Sequence, residues 1–247
     1  MTAIEQELDG GAVPEAFDRV ARTYDLMVAL SPGYHAQLRA SARALVEALP
    51  ATPGRRPRVV DLGCGSGAST AALVRVLDEA GVDAEVVGVD GSAGMLDVAR
   101  GKPGLSGVTF RQADAERLTG AELGPVDGVL AAYLVRNVSS RDRLLGEVLD
   151  VLTDGGALVV HDYSVRESRV ATWAWHLTCW LVVIPLGFVT AAGSPIYRYL
   201  WRSVLDFDGV QGLAGRLRAV GFTDVEHRSA TGWQRGQVHT WRARKPR

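Results

Sequence analysis

The chain has 247 residues, of which 47% are hydrophobic and 22% are charged, and its formal net charge is −1. This size allows one globular domain with a sizeable core, and the charge argues against a broad electrostatic surface for DNA or RNA. The two cysteines, Cys64 and Cys179, form neither a disulfide framework nor a zinc pattern, so we expect no metal and a reducing, cytoplasmic compartment. The most apolar stretch, residues 177–189, is too short to span a membrane.

The first fifty residues predict a helical cap in front of the main domain. Apolar residues recur at spacings of three and four over residues 14–30 and again over residues 34–49. A Ser-Pro-Gly sequence at residues 31–33 separates these two helices. We therefore assign the cap to residues 1–50 and the main domain to residues 51–247.

From residue 58 onward, short apolar strands alternate with amphipathic helices. Alternation of this kind predicts an α/β domain, with parallel strands joined by crossover helices on both faces of one sheet. The predicted strands are residues 58–62, 85–89, 108–111, 126–132, 157–162, 223–228 and 238–242. The predicted helices are residues 68–79, 92–100, 141–152 and 210–220.

The alternation is interrupted by a segment rich in aromatic residues, which falls where an insertion after the fifth strand is expected. We interpret residues 165–205 as a lid over a flat, hydrophobic substrate. A surface that contacts a membrane and a homodimer face are two further interpretations of the same composition. The aromatic members of the segment include Trp173, Trp175, Trp180, Phe188, Tyr197 and Tyr199.

The first predicted strand ends in a glycine-rich turn, residues 61–67 (Asp-Leu-Gly-Cys-Gly-Ser-Gly). Glycine lets the backbone turn tightly and approach a ligand closely. The helix that follows presents unpaired N–H groups and the positive end of its dipole, which suit a carboxylate or a phosphate. Since ligands of open α/β sheets bind outside the carboxyl ends of the strands, this turn is the first candidate for a cofactor site.

Two acidic residues follow the next two strands. Asp90 can accept hydrogen bonds from both hydroxyls of a ribose, and Asp114 with Ala115 can meet an adenine edge. The spacing from Gly63 to Ala68 also fits the nicotinamide-dinucleotide fingerprint loosely, so an oxidoreductase is an alternative. The third glycine at alternate spacing, Asp61 before the glycines and the acid after the third strand favour S-adenosylmethionine (SAM) instead.

Several motifs resemble those of a known superfamily. Residues 61–67 and 87–96 (Val-Gly-Val-Asp-Gly-Ser-Ala-Gly-Met-Leu) resemble the cofactor motifs of class I SAM-dependent methyltransferases. Residues 17–27 (Phe-Asp-Arg-Val-Ala-Arg-Thr-Tyr-Asp-Leu-Met) and 134–138 (Leu-Val-Arg-Asn-Val) are similar to signatures of the ubiquinone/menaquinone-biosynthesis, UbiE-type, C-methyltransferases. The resemblance implies a Rossmann-like fold with a seven-stranded, mostly parallel sheet, a helical cap and an aromatic lid.

The resemblance also implies carbon methylation of an electron-rich aromatic ring by SAM. It places Tyr24 over the cofactor site from the cap, and Arg136 and Asn137 towards the acceptor; a salt bridge to a carboxylate such as Asp162 is the alternative for Arg136. The predicted cofactor-binding residues are Asp61, Gly63, Gly65, Ser66, Asp90, Met95, Asp114 and Ala115. The predicted catalytic residues are Tyr24, Arg136, Asn137 and His176, and the predicted substrate-binding residues are Tyr34, Tyr133, Trp173 and Trp180.

The chain departs from the family pattern at several positions. A small polar residue that contacts SAM after the fourth strand is Ala132 here, and the usual Asn-Asp after the Tyr-Asp element is replaced by Val28-Ala29. These departures fit a relative redirected from the respiratory quinone to another acceptor, such as a natural product. The predicted acceptor is a tryptophan-derived natural-product indole or a quinol, with a respiratory quinone, or O- or N-methylation, as alternatives. The candidate bases are Tyr24, Tyr34, His35, His161, Asp162, His176, Tyr197 and Tyr199.

Overall fold

The computed structural model describes residues 33–115, 123–185 and 196–247, within which one seven-stranded sheet forms the centre of the molecule. The strands are β1 (Arg58–Leu62), β2 (Glu85–Asp90), β3 (Thr109–Gln112), β4 (Val126–Ala132), β5 (Leu152–Tyr163), β6 (Thr223–Ser229) and β7 (Val238–Arg244). Their order across the sheet is β3-β2-β1-β4-β5-β7-β6. The pairs from β3 to β5 are parallel, whereas β7 runs antiparallel to both β5 and β6. The predicted mostly parallel α/β sheet is confirmed.

Helices cover both faces of the sheet, as the alternation predicted. They are α1 (Tyr34–Val46), α2 (Ala68–Glu79), α3 (Ala93–Arg100), α4 (Arg141–Val151), α5 (Arg169–Thr178), α6 (Ile196–Asp206) and α7 (Val210–Val220). The helix predicted over residues 14–30, with Tyr24, lies outside the described residues. No helix in the described part of the chain is long and apolar enough to cross a bilayer.

Helix α1 packs directly on the sheet. Its buried face carries Leu38, Ala42 and Leu45, which is the face that the apolar spacing predicted. It lies over Gly128 of β4, where an added Cβ would stand 2.6 Å from Leu49 and 3.1 Å from Leu45. The missing side chain in β4 therefore allows the close approach that brings the start of α1 to the carboxyl ends of the strands.

Strand β5 is longer than predicted because it begins at Leu152 rather than at residue 157. The glycine pair 155–156 directly precedes the predicted start of the strand. In the structure Gly155 has a φ of 75°, and the pairing of β4 with β5 shifts register between Val126 and Gly128. A bulge of this kind places extra residues, including the glycine, opposite β4, and the strand continues beyond it.

Helix α5 belongs to a small apolar cluster outside the two main cores. Its buried residues Ala171 and Trp175 pack with Cys179 of the π-helical turn Cys179–Val183 and with Val204 of α6. The described parts of the aromatic segment predicted as an insertion, residues 165–185 and 196–205, therefore fold into helices with a core of their own, whereas Phe188 lies outside the described residues. This cluster touches the sheet through Tyr163, the last residue of β5, whose ring lies 4.8 Å from that of Trp175.

Candidate active site

The glycine turn after β1 is fixed by its backbone. Gly63 and Gly65 have φ values of 70° and 52°, in the left-handed region where glycine carries no steric cost. The N–H groups of Gly63 and Cys64 donate to the carbonyl of Val89 at 2.8 and 3.0 Å, which ties the turn to β2. A Cβ on Gly63 would lie 2.9 Å from Leu134, whereas one on Gly65 would meet nothing within 4 Å. The backbone at Gly65 is therefore open to a ligand.

Asp61 lies behind this turn and not at its open surface. Its carboxylate is fully buried and accepts hydrogen bonds from Ser69 Oγ at 2.8 Å and Thr70 Oγ1 at 2.6 Å. Burial raises the pKa of the Asp61 carboxyl to about 6, against the two hydroxyl donors. The sequence predicted a cofactor contact at Asp61; the structure instead shows a side chain that fastens β1 to the first turn of α2.

Asp90 links the turn to the following loop. Its carboxylate accepts hydrogen bonds from the N–H groups of Gly65 at 2.8 Å and Ser92 at 2.9 Å. Ser92 in turn caps α3, since its hydroxyl accepts a hydrogen bond from the Met95 N–H at 3.0 Å. The end of β3 is held nearby, since the Ala113 N–H donates to the Asp90 carbonyl at 3.0 Å.

A single cleft opens where β1, β2 and β4 end, with a volume of about 990 Å³ that includes space open to solvent. One side of the cleft carries seven of the eight predicted cofactor-binding residues: Gly63, Gly65, Ser66, Asp90, Met95, Asp114 and Ala115. The other side is formed by Tyr34, Leu38, Ala132, Tyr133, Leu134, Asn137 and Val138. The structure thus brings the predicted cofactor residues together with three of the predicted acceptor-side residues.

Tyr133 has an unusual backbone at this cleft. Its φ is 58°, a left-handed conformation that is uncommon outside glycine and clusters at functional sites. Three hydrogen bonds hold it: its N–H donates to the His161 carbonyl at 2.7 Å, and its carbonyl accepts from Asn137 Nδ2 at 2.9 Å and Arg136 Nη1 at 3.3 Å. The ring stacks on that of Tyr34, with centroids 5.6 Å apart and planes 11° apart. Both tyrosines line the cleft, so the stacked pair forms part of its wall.

A buried polar network holds the hydroxyl end of Tyr133. The hydroxyl lies 3.2 Å from His161 Nε2 and 3.4 Å from Gln37 Oε1, and His161 Nδ1 lies 2.8 Å from Thr240 Oγ1. Burial lowers the pKa of His161 to about 3 and raises that of the Tyr133 phenol well above its ordinary value. Both side chains are therefore neutral at physiological pH.

The network continues from Gln37 Nε2, which donates to Gln234 Oε1. Neither glutamine nor Thr240 is among the site residues predicted from the sequence. The two glutamines are 197 residues apart in sequence, and His161 and Thr240 are 79 residues apart. No local spacing pattern could therefore have predicted these contacts.

Arg136 forms a buried ion pair with Asp162. The distance from Nη1 to Oδ1 is 2.5 Å, and the side chains are 6% and 0% exposed. The guanidinium also lies 5.6 and 5.8 Å from the ring centroids of Tyr133 and Tyr163. Of the two roles considered for Arg136, the structure shows the salt bridge, and this side chain is not part of the cleft wall. Its neighbour Asn137 does line the cleft, and its Oδ1 is buried without a hydrogen-bond partner among the described residues.

The predicted lid residues do not reach the cleft. Trp173 and Trp180 are 67% and 50% exposed, and His176 Nδ1 accepts a hydrogen bond from Trp201 Nε1 at 3.0 Å. Helix α5 turns Trp175 inward instead, and the apolar pattern could not tell which face would be buried because both faces are apolar. These three site predictions therefore differ from the observed cleft.

The remaining candidate bases are placed as follows. His35 is exposed on α1 and contacts the ring of Tyr34 edge-on. Tyr199 is partly buried on α6, and the side chains of Tyr24 and Tyr197 lie outside the described residues. Within residues 33–115, 123–185 and 196–247, no three His, Cys, Asp or Glu side chains are grouped so that they could hold a metal ion.

The cleft fits SAM on two observations. The turn leaves space where a side chain at Gly65 would stand, and the carboxylates of Asp90 and Asp114 follow two successive strands. Fold and cleft together define a class I SAM-dependent methyltransferase. More particularly, the chain belongs to the ubiE/COQ5 methyltransferase family, whose family model matches residues 2–241.

Individual relatives agree with this assignment. The demethylmenaquinone methyltransferase of Beutenbergia cavernae is 37% identical over 248 residues, which cover 99% of this chain and 95% of that protein. The ubiquinone/menaquinone biosynthesis C-methyltransferase UbiE of Stutzerimonas stutzeri is 34% identical over 239 residues, covering 95% and 89%. A solved SAM-dependent methyltransferase of Thermotoga maritima has the same fold, with a TM-score of 0.62 at 19% identity and coverage of 94% and 98%. The predicted family, enzyme class, fold and cofactor are confirmed.

Proposed function

We propose that this enzyme transfers a methyl group from SAM to a ring carbon of a quinol. The observation that carries the proposal is the cleft itself, where the glycine turn, Asp90 and Asp114 face a wall made by Tyr34 and Tyr133. The names of both curated relatives refer to quinone biosynthesis, which favours a quinol over the natural-product indole that the sequence also predicted. The indole remains a prediction without such support.

For SAM binding, we assign the ribose hydroxyls to the Asp90 carboxylate and the adenine edge to Asp114 and Ala115. The first turn of α2 follows Gly67 without a side-chain cap, so its N–H groups are suited to the carboxylate of SAM. The Asp90 carboxylate also accepts a hydrogen bond from the Gly65 N–H, so the same side chain positions both the ribose and the glycine turn. Asp61 does not contact SAM in this assignment. It lies behind the glycine turn and holds β1 to α2 through its hydrogen bond from Thr70.

The chain's own residues align and orient the acceptor. SAM supplies an electrophilic methyl group on a sulfonium, so catalysis depends on alignment and on the electron density of the acceptor ring. The stacked rings of Tyr34 and Tyr133 offer a flat surface for that ring. Asn137 Oδ1 can accept a hydrogen bond from a phenolic hydroxyl, which would increase electron density on the neighbouring carbon.

The division into a cap (residues 1–50) and a lid (residues 165–205) is part of this proposal. Helix α1 supports the cap assignment, since it supplies Tyr34 and Leu38 to the cleft. Contacts between rings connect α5 to the cleft and support the lid assignment. The ring centroids of Trp175 and Tyr163 are 4.8 Å apart, and those of Tyr163 and Tyr133 are 5.4 Å apart. We assign Tyr24 to the cap side of the SAM site by the family resemblance.

The proposal is tested with purified enzyme, methyl-labelled SAM and a demethylmenaquinol of short side chain, kept reduced. We expect mass spectrometry and NMR to find the label on a ring carbon. The oxidised quinone should give no product, because its ring is electron-poor. Label on oxygen or nitrogen, or turnover of tryptophan-derived indoles alone, would refute the quinol assignment.

A matched pair of variants separates binding from turnover. Asn137→Ala should lower kcat while leaving the affinity for SAM unchanged. Ser139→Ala, an exposed neighbour outside the cleft, should behave like the wild type in both measurements. Equal kcat for both variants would remove Asn137 from the acceptor site.

A further inference from the structure

The backbone after β4 fixes the position of Leu134. The preceding residue, Tyr133, has the left-handed φ of 58°, and its carbonyl accepts hydrogen bonds from the side chains of Arg136 and Asn137. On the other side, the Asn137 N–H donates to the Leu134 carbonyl at 2.8 Å, at the end of the short helical turn Val135–Asn137. Leu134 is therefore held between a constrained residue and a hydrogen-bonded turn.

The side chain of Leu134 lies flat on the glycine turn. A Cβ added at Gly63 would stand 2.9 Å from its Cδ1, 3.0 Å from its Cβ and 3.1 Å from its Cγ. Gly65 has no such neighbour among the described residues, since a Cβ there would meet nothing within 4 Å. Leu134 thus covers one end of the turn and leaves the other end open.

Leu134 also forms part of the cleft wall. It is partly buried and packs against the main apolar core of the sheet. Packing against a dense core limits the movement of the side chain. Because the leucine side chain forms no hydrogen bond, it contributes size and shape to the cleft and no polar contact.

The pose assigned to SAM brings its sulfur next to this side chain. The ribose is assigned to Asp90 and the carboxylate to the first turn of α2, and the present inference rests on those assignments under the proposed function. The sulfur is bonded to both of these parts of SAM, so it lies between the two anchors, over the glycine turn. Its third substituent, the methyl group, then points towards the acceptor wall, where Leu134 lies beside Gly63.

We propose that Leu134 limits the space around the transferred methyl group and thereby selects methyl against larger alkyl groups on the sulfonium. A larger group would force the anchored side chain to move, or would turn the sulfonium away from the acceptor. The same contact keeps the methyl group in line with the acceptor carbon, and transfer depends on that alignment. Leu134 is thus a specificity-determining residue that acts through its shape.

The test is calorimetric binding of SAM and of its S-allyl analogue, in which an allyl group replaces the transferred methyl. The wild type should bind the analogue at least about tenfold more weakly than SAM, as extra carbons in an apolar pocket are discriminated to this degree. Leu134→Ala should bind the two within about threefold of each other, because the shorter side chain leaves room for the allyl group. Leu134→Val, a smaller change that supplies the measurement if the alanine variant does not fold, should give an intermediate ratio.

The matched control is Leu149→Ala. Leu149 is a partly buried leucine of α4 that packs against the same core outside the cleft. This variant loses the same atoms as Leu134→Ala and should keep the wild-type ratio of affinities. An equal fall of the ratio in both variants would overturn the proposal, since loosened packing would then explain it.

Two other results would also contradict the proposal: a wild type that binds SAM and the analogue equally, and a Leu134→Ala variant that keeps the full preference. Binding is measured without an acceptor, so the outcome does not depend on the quinol assay. If the preference for SAM depends on Leu134 but no quinol is methylated, the proposed acceptor is wrong and the assignment of Leu134 stands. If quinol is methylated but the preference does not depend on Leu134, the proposed function stands and this inference fails.

Discussion

The two sides of the cleft are built in different ways. On the cofactor side, backbone groups and short side chains meet over short sequence distances, as where Asp90 holds Gly65, 25 residues away. On the other side, Tyr133 is held by His161, and Gln37 meets Gln234, 197 residues away. The cofactor side is thus a local property of strands and turns, whereas the acceptor side depends on how distant parts of the chain pack together. This difference predicts that changes on the acceptor side affect folding, and changes on the cofactor side affect binding.

The largest expected effect is on folding, from Arg136→Ala. Removing the guanidinium leaves the fully buried Asp162 carboxylate without its cation, which should lower the free energy of unfolding by about 3–5 kcal/mol. Denaturant titration measures the loss. Arg143→Ala is the matched control, since Arg143 pairs with Glu147 while 64% exposed and should change stability by less than about 1 kcal/mol.

A double variant tests the cause. Arg136→Met with Asp162→Leu removes both charges, so much of the lost stability should return if the uncompensated carboxylate is responsible. Equal stability of Arg136→Ala and Arg143→Ala would contradict the structural role and revive the prediction that Arg136 serves the acceptor.

The next largest effect is on SAM binding, from Asp90→Ala. The variant loses the proposed ribose contacts and the acceptor for the Gly65 and Ser92 N–H groups. Each hydrogen bond to a charged group contributes about 1.5–3 kcal/mol, so we expect calorimetry to show affinity for SAM at least about 100-fold weaker. Asp97→Ala, which removes a carboxylate that is 76% exposed on α3, should leave affinity unchanged. Unchanged affinity in Asp90→Ala would place the SAM site elsewhere.

The cofactor side was also the more predictable side. The bounds of β1, β4, α2 and α7 match the predicted ones residue for residue, because glycine turns and apolar periodicity mark both ends of these elements. Seven of the eight predicted cofactor residues line the cleft, and the exception is Asp61. Its position next to the glycines does not reveal that its side chain points towards Ser69 and Thr70.

The acceptor side was predicted less well for a physical reason. Trp173, Trp180 and His176 were predicted as site residues from their residue types alone. The sequence of a helix that is apolar all round does not indicate which face will be buried. For Arg136 the sequence left two roles open, a contact with the acceptor or a salt bridge to a carboxylate such as Asp162, and only the fold decides for the salt bridge. Gln37 and Thr240 carry no sequence signal, since each gains its role from a partner that distant strand pairing supplies.

A moderate effect on the pH dependence of stability is expected from His161. Its pKa is lowered to about 3 by burial, whereas the unfolded chain has a histidine pKa of about 6.5. Between these values the unfolded state binds a proton that the folded state refuses, so stability falls as pH falls, by up to about 1.4 kcal/mol per pH unit from this residue. His161→Gln should flatten the decline of unfolding free energy between about pH 6 and pH 4. His35→Gln, at an exposed position on α1, should keep the wild-type slope; two equal slopes would show that His161 is accessible to protons.

The smallest expected effect, and the sharpest test of the separation between the two sides, is Tyr133→Phe. The variant keeps the stacked ring and loses only the hydroxyl, whose partners His161 and Gln37 retain hydrogen bonds to Thr240 and Gln234. Stability should therefore fall by about 1 kcal/mol, and kcat/KM for the acceptor should fall several-fold because the wall is held less firmly. The affinity for SAM should not change, since the hydroxyl points towards α1 and not towards the glycine turn. Tyr163→Phe is the control, because its hydroxyl accepts a long hydrogen bond of 3.4 Å from Gln234 Nε2, and we expect the loss of this contact to have a milder effect. If Tyr133→Phe weakens SAM and acceptor equally, the two sides of the cleft are coupled and the acceptor network also serves the cofactor.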